Sequence, residues 1–298
     1  MRYHRVIPVL LFDDGAIYRS QGFQRHYRLG DPLQQLERYK AWDVDEIVYL
    51  DMRRARSGRR LIEFLPDIAR NCFAPLAVGG GIRSLEDIHE HLEAGADRVV
   101  INTAAVDDPS FVTAAAHRYG AQAIIISIDA AQRPDGQYEV VCDRGTRPTG
   151  KAVESWASEV VSLGAGEIFL NSIDRDGMGG GYDTGLIRRV TQRVHIPVIA
   201  CGGVGSFAHL AAGVTEGGAG SVAAANIFCF KELSYAHADA IGDTVVRQPA
   251  NSSAFLRDKP DEILGDPRQR RRGGLDCARQ ACPNAPAHGC IKLRTIGQ

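Results

Sequence analysis

Short runs of apolar and β-branched residues alternate along this chain with longer amphipathic segments. Segments that begin at helix-capping residues, Asp31-Pro32, Ser84 and Ser206, predict helices. The apolar runs predict eight strands, at 5–11, 46–51, 75–80, 98–102, 123–129, 167–172, 197–203 and 221–226. Eight strands separated by helices favour an α/β fold of the closed (β/α)8 TIM-barrel type, with an open doubly wound sheet as the alternative.

An internal repeat supports the closed barrel. Residues 74–106 align with residues 196–228 at a constant offset of 122 positions, which pairs Gly80 with Gly202 and Ser84 with Ser206. Residues 44–52 align with 165–173 at an offset of 121. The repeat predicts two half-barrels of four strand–helix units each.

Composition and charge narrow the function classes. With 298 residues, 44% of them hydrophobic, the chain can bury one large core, which we assign to residues 1–245. A net charge of −1 gives no general attraction to nucleic acid or membrane. Since we find neither a membrane-length apolar run nor a signal peptide, we expect a cytoplasmic protein.

The C-terminal residues 246–298 differ from the rest. Residues 248–298 carry nine Lys or Arg against five Asp or Glu, include RQRRR at 268–272, and lose hydrophobic periodicity. We therefore expect an irregular basic extension that could be disordered. It contains Cys277, Cys282, His288 and Cys290, whose spacing is not that of a usual zinc site, so we predict neither a metal nor a cofactor.

Glycine-rich turns follow several predicted strands. Such turns lead into helix N-termini, whose free N–H groups bind phosphate, although tight strand-to-helix turns use glycine anyway. Their duplication in symmetric positions predicts a ligand with two phosphates. The first phosphate corner comprises Gly80, Gly81, Asn102 and Thr103. The second comprises Gly202, Gly203, Ala225 and Asn226, bordered by Asp176 and Gly177.

A family resemblance rests on a set of motifs. They are VGGGIRS (78–84), INTAAV (101–106), SIDA (127–130), RPTG (147–150), GAGEI (164–168), SIDRDG (172–177), GYD (181–183) and IACGGVGS (199–206). From about residue 5 to 240 the chain resembles the cyclase subunit of imidazole glycerol phosphate synthase. This resemblance implies a lyase-type enzyme of histidine biosynthesis that forms a heterodimer with a glutaminase and receives its ammonia.

The resemblance also implies two facing catalytic acids, at the ends of strands 1 and 5. Strand 5 retains Asp129, but Leu11 occupies the strand 1 position. Leucine cannot transfer a proton, so ring closure should be impaired. Asp13 and Asp14 follow on the next loop and could replace the acid, but a solvated turn is the stronger interpretation.

Leu11 also fits one branch of the family. Paralogues with Leu-Leu closing strand 1, Cys-Gly-Gly on strand 7 and Gly-Gly-Ala at 217–219 are associated with acetamidino modification of bacterial surface sugars. The resemblance to them implies a further partner, a sugar amidotransferase. Arg19 stands where the family usually has lysine and could retain an anion contact.

A charged ring through which ammonia enters is the next feature that the resemblance implies. Its positions are Arg5, Glu46, Arg98 and Glu167, with arginine at 98 where lysine is usual. A purely structural ring of ion pairs at the barrel floor is the alternative. The planar guanidinium group of arginine should form a tighter ion pair with a carboxylate than the ammonium group of lysine does.

Three further residues lie at predicted strand ends. Asp51 and Asn171 should point into the mouth of the barrel, although each could instead cap a helix or turn. Cys201 is better explained by packing than as a nucleophile, because no histidine stands at a neighbouring strand end.

Several functions compete. We favour the synthase-type subunit in its paralogue form. The alternatives are a genuine histidine-pathway cyclase, a subunit that only conducts ammonia, and a phosphosugar isomerase, which Leu11 and the motifs weaken.

Overall fold

The computed structural model of the chain describes residues 4–41, 44–52 and 58–230. The predicted extension at 246–298, with Cys277, Cys282, His288 and Cys290, lies outside these residues. Within the described ranges, no helix has the length and apolar character needed to cross a membrane.

Among the described residues, twelve strands make up the sheet. They are β1 (Arg5–Asp13), β2 (Ala16–Gln21), β3 (Arg25–Gly30), β4 (Ile47–Asp51), β5 (Leu76–Gly79), β6 (Arg98–Ile101), β7 (Ile124–Gln132), β8 (Tyr138–Cys142), β9 (Arg147–Ala152), β10 (Glu167–Ser172), β11 (Val198–Cys201) and β12 (Ser221–Ala224). Eight of them are parallel neighbours in the order β1, β4, β5, β6, β7, β10, β11 and β12, and β12 pairs with β1. The sheet therefore closes on itself, which confirms the predicted TIM barrel.

Helices surround this barrel. They are α1 (Pro32–Ala41), α2 (Leu61–Asn71), α3 (Leu85–Glu93), α4 (Thr103–Asp107), α5 (Ser110–Tyr119), α6 (Val153–Ser162), α7 (Thr184–Thr191), α8 (Phe207–Thr215) and α9 (Asn226–Phe230). The predicted caps lie where helices begin: Asp31 precedes α1 and its carboxylate accepts the Leu33 amide at 2.9 Å, and Ser84 accepts the Asp87 amide at 3.1 Å in a capping box before α3.

The repeat predicted from the sequence is present in the structure. Strands β5 and β11 begin and end 122 positions apart, and so do helices α3 and α8. Both helices follow a serine N-cap, Ser84 and Ser206. This part of the second half-barrel therefore repeats the corresponding part of the first.

The four remaining strands form two hairpins that were not predicted from the sequence. Strands β2 and β3 extend β1, and β8 and β9 extend β7. Because β1 and β7 are the first strands of the two half-barrels, the hairpins occupy equivalent places in the repeat. Both rise at the carboxyl ends of the strands, where the site is expected.

Side chains along the parallel strands alternate between two cores. One set faces the helices, as Leu10, Tyr49 and Ile126 do. The other fills the barrel interior with apolar groups, and its buried members are Ile7, Val9, Val48, Ala77, Val100, Ile125, Phe169, Ile199 and Ala223. This alternation decides which residue at each strand end reaches the site.

Candidate active site

Leu11 and Asp129 end two strands that lie across the barrel from each other. Strands β1 and β7 are four places apart in the ring of eight. Leu11 lies two residues after the inward-facing Val9 and packs on the interior core. Asp129 lies four residues after the inward-facing Ile125, on the same side of β7. The carboxyl group and the leucine side chain therefore face one interior.

Asp129 is held in an environment that favours its protonated form. The residue is 9% exposed, and its Oδ2 accepts a hydrogen bond from Asn102 Nδ2 at 2.8 Å. Burial raises the pKa of Asp129 to about 7, with a smaller contribution from the Asp176 carboxylate, while hydrogen bonds from Asn102 and Asn171 oppose the increase. Such a group can donate or accept a proton near neutral pH.

The two aspartates that follow Leu11 lie at the turn into the first hairpin. Asp14 forms the turn between β1 and β2 with φ of 45°, and its Oδ1 accepts the Arg59 amide at 2.9 Å. Asp13 is buried at the end of β1, where it pairs with Ala16 at the start of the hairpin. Asp14 is therefore a turn residue, which was the stronger of its two interpretations.

The first phosphate corner follows β5 and β6. Gly80 and Gly81 have φ of 104° and 73°, a conformation that favours glycine. A Cβ on Gly80 would lie 2.1 Å from the Asp51 carbonyl oxygen, so the turn cannot accept a side chain there. Asn102 directs its amide group to Asp129, and Thr103 Oγ1 accepts the Asp143 amide from the β8–β9 turn at 3.1 Å.

The second corner has the same glycine geometry. Gly202 and Gly203 have φ of 93° and 105°, and a Cβ on Gly203 would lie 2.2 Å from the Gly181 carbonyl oxygen. Ala225 follows β12, and Asn226 is the first residue of α9. The structure thus brings each predicted set of glycine and polar residues together at one place on the mouth.

The β2–β3 hairpin closes over the second corner. The amides of Gly22 and Phe23 donate to the Asp176 carbonyl oxygen at 2.9 Å and to its Oδ2 at 3.1 Å. Asn226 Nδ2 donates to the Ser20 carbonyl oxygen at 3.2 Å. Burial raises the pKa of Asp176. Asp176, predicted to border the second phosphate corner, here binds the hairpin tip.

The tips of the two hairpins meet above the mouth. Phe23, at the tip of the β2–β3 hairpin, has a positive φ of 57°, which is rare for an aromatic residue. A Cβ on Gly145 of the β8–β9 turn would lie 2.9 Å from the Phe23 ring. A Cβ on Gly177 would lie 2.2 Å from the Ser20 carbonyl oxygen, so Gly177 allows the hairpin to approach closely. The sequence analysis assigned Gly177 to phosphate and gave Phe23 no role.

The floor of the barrel carries the predicted charged ring. Arg5 forms ion pairs with both Glu46 and Glu167, and Arg98 reaches the same two carboxylates at 3.1 Å and 2.5 Å. The glutamates are only 1% and 2% exposed. Burial raises the pKa of Glu46, although Arg5 and Arg98 both oppose this shift. Two charges of each sign therefore close the floor as a neutral ring.

The remaining predicted residues occupy different surfaces. Arg19 lies on β2 with its guanidinium 4.4 Å from the Tyr27 ring centre. Asp51 has the helix-facing orientation of Ile47 and Tyr49, and its Oδ2 accepts the Leu61 amide at 3.0 Å at the start of α2. Asp51 thus adopts the helix-capping alternative rather than reaching the mouth.

Asn171 and Cys201 share the interior orientation. They are register partners on β10 and β11, and Asn171 is also paired with Asp129 on β7. Burial strongly raises the pKa of the Cys201 thiol, so it stays protonated and serves as packing. The pairing of Asn102 with Asp129 was missed from the sequence, because it depends on both residues facing inward.

Comparison with known families agrees with this geometry. The sequence profile described as "Histidine biosynthesis protein" matches residues 5–234, which covers the whole barrel. Members of this family are enzymes of the isomerase and cyclase types. The chain belongs to the histidine biosynthesis protein family.

Proposed function

We propose that this chain is a synthase-type subunit related to the cyclase of imidazole glycerol phosphate synthase. In this proposal it uses ammonia from a glutaminase partner at a site for a phosphorylated ligand. Its role is that of the paralogues that serve acetamidino-sugar biosynthesis, in which histidine-pathway ring closure is not the task.

One observation carries the proposal. Asp129 has a pKa near 7 and faces the barrel interior, while the opposite strand presents Leu11 instead of a second carboxyl group. Ring closure with facing acid and base requires two titratable groups, and loss of one such group typically costs about 10²–10⁴-fold in rate. A site with Asp129 alone suits a chemistry with a single proton transfer.

The phosphorylated ligand is supported by the two glycine corners. Each combines positive-φ glycines with a helix that begins beside them, an arrangement that commonly binds phosphate. Asp129 lies between the corners on the interior side. A ligand with an anionic group at each end would place its central atoms over this carboxyl group.

Passage of ammonia is supported by the interior below Asp129. The ring of Arg5, Glu46, Arg98 and Glu167 lies at one end of an apolar core, and Asp129 lies at the other. An apolar interior opposes entry of a cation much more than entry of a neutral molecule. Neutral ammonia is therefore the form that would cross it, once the ion pairs separate.

A subunit that conducts ammonia without catalysis is the second candidate, and Leu11 favours it. The pKa of Asp129 near 7 favours a catalytic subunit instead, because a subunit that only conducts ammonia does not need a carboxyl group that titrates near neutral pH. Stimulation of a glutaminase partner with no turnover of any phosphorylated ligand would favour the conduit.

Complementation tests the proposal. A bacterial strain that lacks the histidine-pathway cyclase would receive the unmodified chain, the Leu11→Asp variant or the Leu11→Asn variant. We expect growth without histidine only with Leu11→Asp, because asparagine has the same shape but no titratable group. Growth with the unmodified chain would contradict the paralogue assignment, and ammonia-dependent synthesis by purified protein would measure the same difference directly.

A further inference from the structure

The β2–β3 hairpin presents one of its faces to the mouth of the barrel. Tyr18 on β2 is the register partner of Leu11 on β1. Residues directly opposite each other in an antiparallel pair lie on the same face, with their Cβ atoms about 5 Å apart. Since Leu11 packs on the interior core, Tyr18 faces the mouth end of the same interior.

A contact at the second phosphate corner supports this orientation. Ser20 lies two residues after Tyr18, and therefore on the same face of β2. It is buried, and its hydroxyl group donates a hydrogen bond to the Asp176 carboxylate. His26, the register partner of Ser20 on β3, opposes the rise in the pKa of Asp176 that burial causes. This face of the hairpin is therefore directed at the ligand site.

Arg28 joins the same face because the register of the hairpin is irregular. Ile17 pairs with Gly30, but Tyr18 pairs with Arg28, so the ladder skips Leu29. Such β-bulges redirect side chains and are frequent next to active sites. Without the shift, Leu29 would stand opposite Tyr18 and Arg28 would lie on the other face. The irregularity thus places an exposed cation beside Tyr18, on what we call the inner face of the hairpin, comprising Tyr18, Ser20, His26 and Arg28.

The outer face of the hairpin carries a second pair of the same two residue types. Arg19 and Tyr27 are register partners, and Arg19 lies two residues after Ile17, which is buried in the helix-facing core. The Arg19 guanidinium lies 4.4 Å from the centre of the Tyr27 ring. Arg19, for which the sequence analysis considered an anion contact, therefore lies on the face opposite to that of Tyr18. Each face has one tyrosine and one arginine, which allows a matched comparison.

The inner face has the chemistry needed for the ligand of the proposed function. Strands β1 and β7 lie across the barrel from each other, so Tyr18 and Asp129 approach the centre of the mouth from opposite sides. A phenol hydroxyl both donates and accepts hydrogen bonds, and a guanidinium group donates to phosphate oxygens in a fixed geometry. A sugar with a phosphate at each end offers hydroxyl groups at its centre and negative charge at its ends.

We propose that Tyr18 and Arg28 form a ligand-binding surface on the inner face of the β2–β3 hairpin. The Tyr18 hydroxyl binds a central hydroxyl group of a sugar phosphate, and Arg28 binds one of its phosphates. Tyr18 thus covers the side of the mouth where Leu11 has no polar group, as a binding residue that transfers no proton. This inference deepens the proposed function and rests on its phosphorylated ligand.

Titration calorimetry of the full-length chain with fructose 1,6-bisphosphate, a sugar with a phosphate at each end, tests the proposal. Arg28→Gln should weaken binding about tenfold or more, and Tyr18→Phe about three- to tenfold, from the loss of a charged and a neutral hydrogen bond. The controls Arg19→Gln and Tyr27→Phe remove the same groups from the outer face and should change the affinity less than about twofold. Equal losses from the two faces, no loss from the inner face, or no binding by the unmodified chain would each overturn the proposal.

Chemical modification of the unmodified chain is a second measurement that needs no variant. Phenylglyoxal reacts with accessible arginine side chains, and peptide mapping reports its rate at Arg19 and Arg28 separately. Saturating fructose 1,6-bisphosphate should slow the modification of Arg28 several-fold and leave that of Arg19 unchanged. Equal protection of the two arginines would contradict the proposal.

These results are distinguishable from those of the complementation experiment. Growth with the unmodified chain would refute the paralogue role while leaving the difference between the two hairpin faces intact. Equal binding by Arg28→Gln and the unmodified chain would refute the hairpin site while leaving the role of Leu11 intact.

Discussion

Replacing Asp129 by asparagine should change how the stability of the barrel depends on pH. Burial raises the pKa of Asp129 from 3.8 to about 7, so the folded protein binds this proton more tightly than the unfolded chain does. The stabilising contribution is complete below the unfolded pKa and is lost as pH rises through the folded pKa. The Asp129→Asn variant has no such proton at this position and would show no such loss.

The size of the effect follows from the shift. Each pKa unit corresponds to about 1.4 kcal/mol, so a shift of roughly three units costs the unmodified protein about 4 kcal/mol between acidic and neutral pH. Since the Asn102 amide can still donate to the asparagine oxygen, the Asp129→Asn variant keeps this contact. It should therefore gain about 4 kcal/mol relative to the unmodified chain as pH rises from 4 to 8.

Urea unfolding at a series of pH values measures this difference. Subtracting the two unfolding free energies at each pH removes the contribution of Glu46, which both proteins share. Asp87→Asn is a control of opposite sign, because capping hydrogen bonds lower the pKa of Asp87 and its stabilisation is lost as pH falls. A difference between the unmodified chain and Asp129→Asn that stays constant from pH 4 to 8 would refute the reasoning.

Three further predictions concern the mouth and the floor. Gly80→Ala should lower the unfolding free energy by at least about 1 kcal/mol more than Gly136→Ala. Both glycines have positive φ, but only at Gly80 does the new methyl group contact backbone atoms. Thermal unfolding of the two variants measures this difference, and equal losses of stability would argue against the clash. Glu46→Ala should destabilise the barrel by about 3–5 kcal/mol, because it leaves a cavity and only one carboxylate for Arg5 and Arg98; Asp67→Ala in an exposed ion pair should cost less than about 1 kcal/mol, as urea unfolding of both variants would report. Asp176→Ala should release the β2–β3 hairpin and accelerate limited proteolysis within residues 16–30, whereas an unchanged cleavage rate would mean that other contacts suffice.

Much of the fold could be predicted, because the spacing of the strands and the internal repeat can both be read from the order of apolar and polar residues along the chain. The two hairpins were missed, although Asp14-Gly15 is a strong hairpin signal and residues 134–136 read Pro-Asp-Gly. No strands were predicted in the segments that follow these two turns, 16–30 and 137–152. A search for alternating residues on either side of each turn would have found them.

The site was predicted less completely, because its contacts depend on orientation. Parallel strands buried on both faces show nearly continuous apolar runs, so their sequence does not tell which residues point inward. Asp51 and Asn171 both end strands, yet one faces the helices and the other the interior. Only the closed barrel reveals that Asn102 and Asn171 flank Asp129, or that Asp176 binds the β2–β3 hairpin.

The paired hairpins carry a consequence for how this barrel arose and can be altered. Each half-barrel carries its own hairpin at the equivalent position, after its first strand. Two separate copies of an ancestral half could therefore already have shielded a shared cavity. Each hairpin makes its own contacts, one with Asp176 and the other with Thr103. Exchanging a single hairpin between relatives should consequently change ligand binding at one end of the site and leave the other end unchanged.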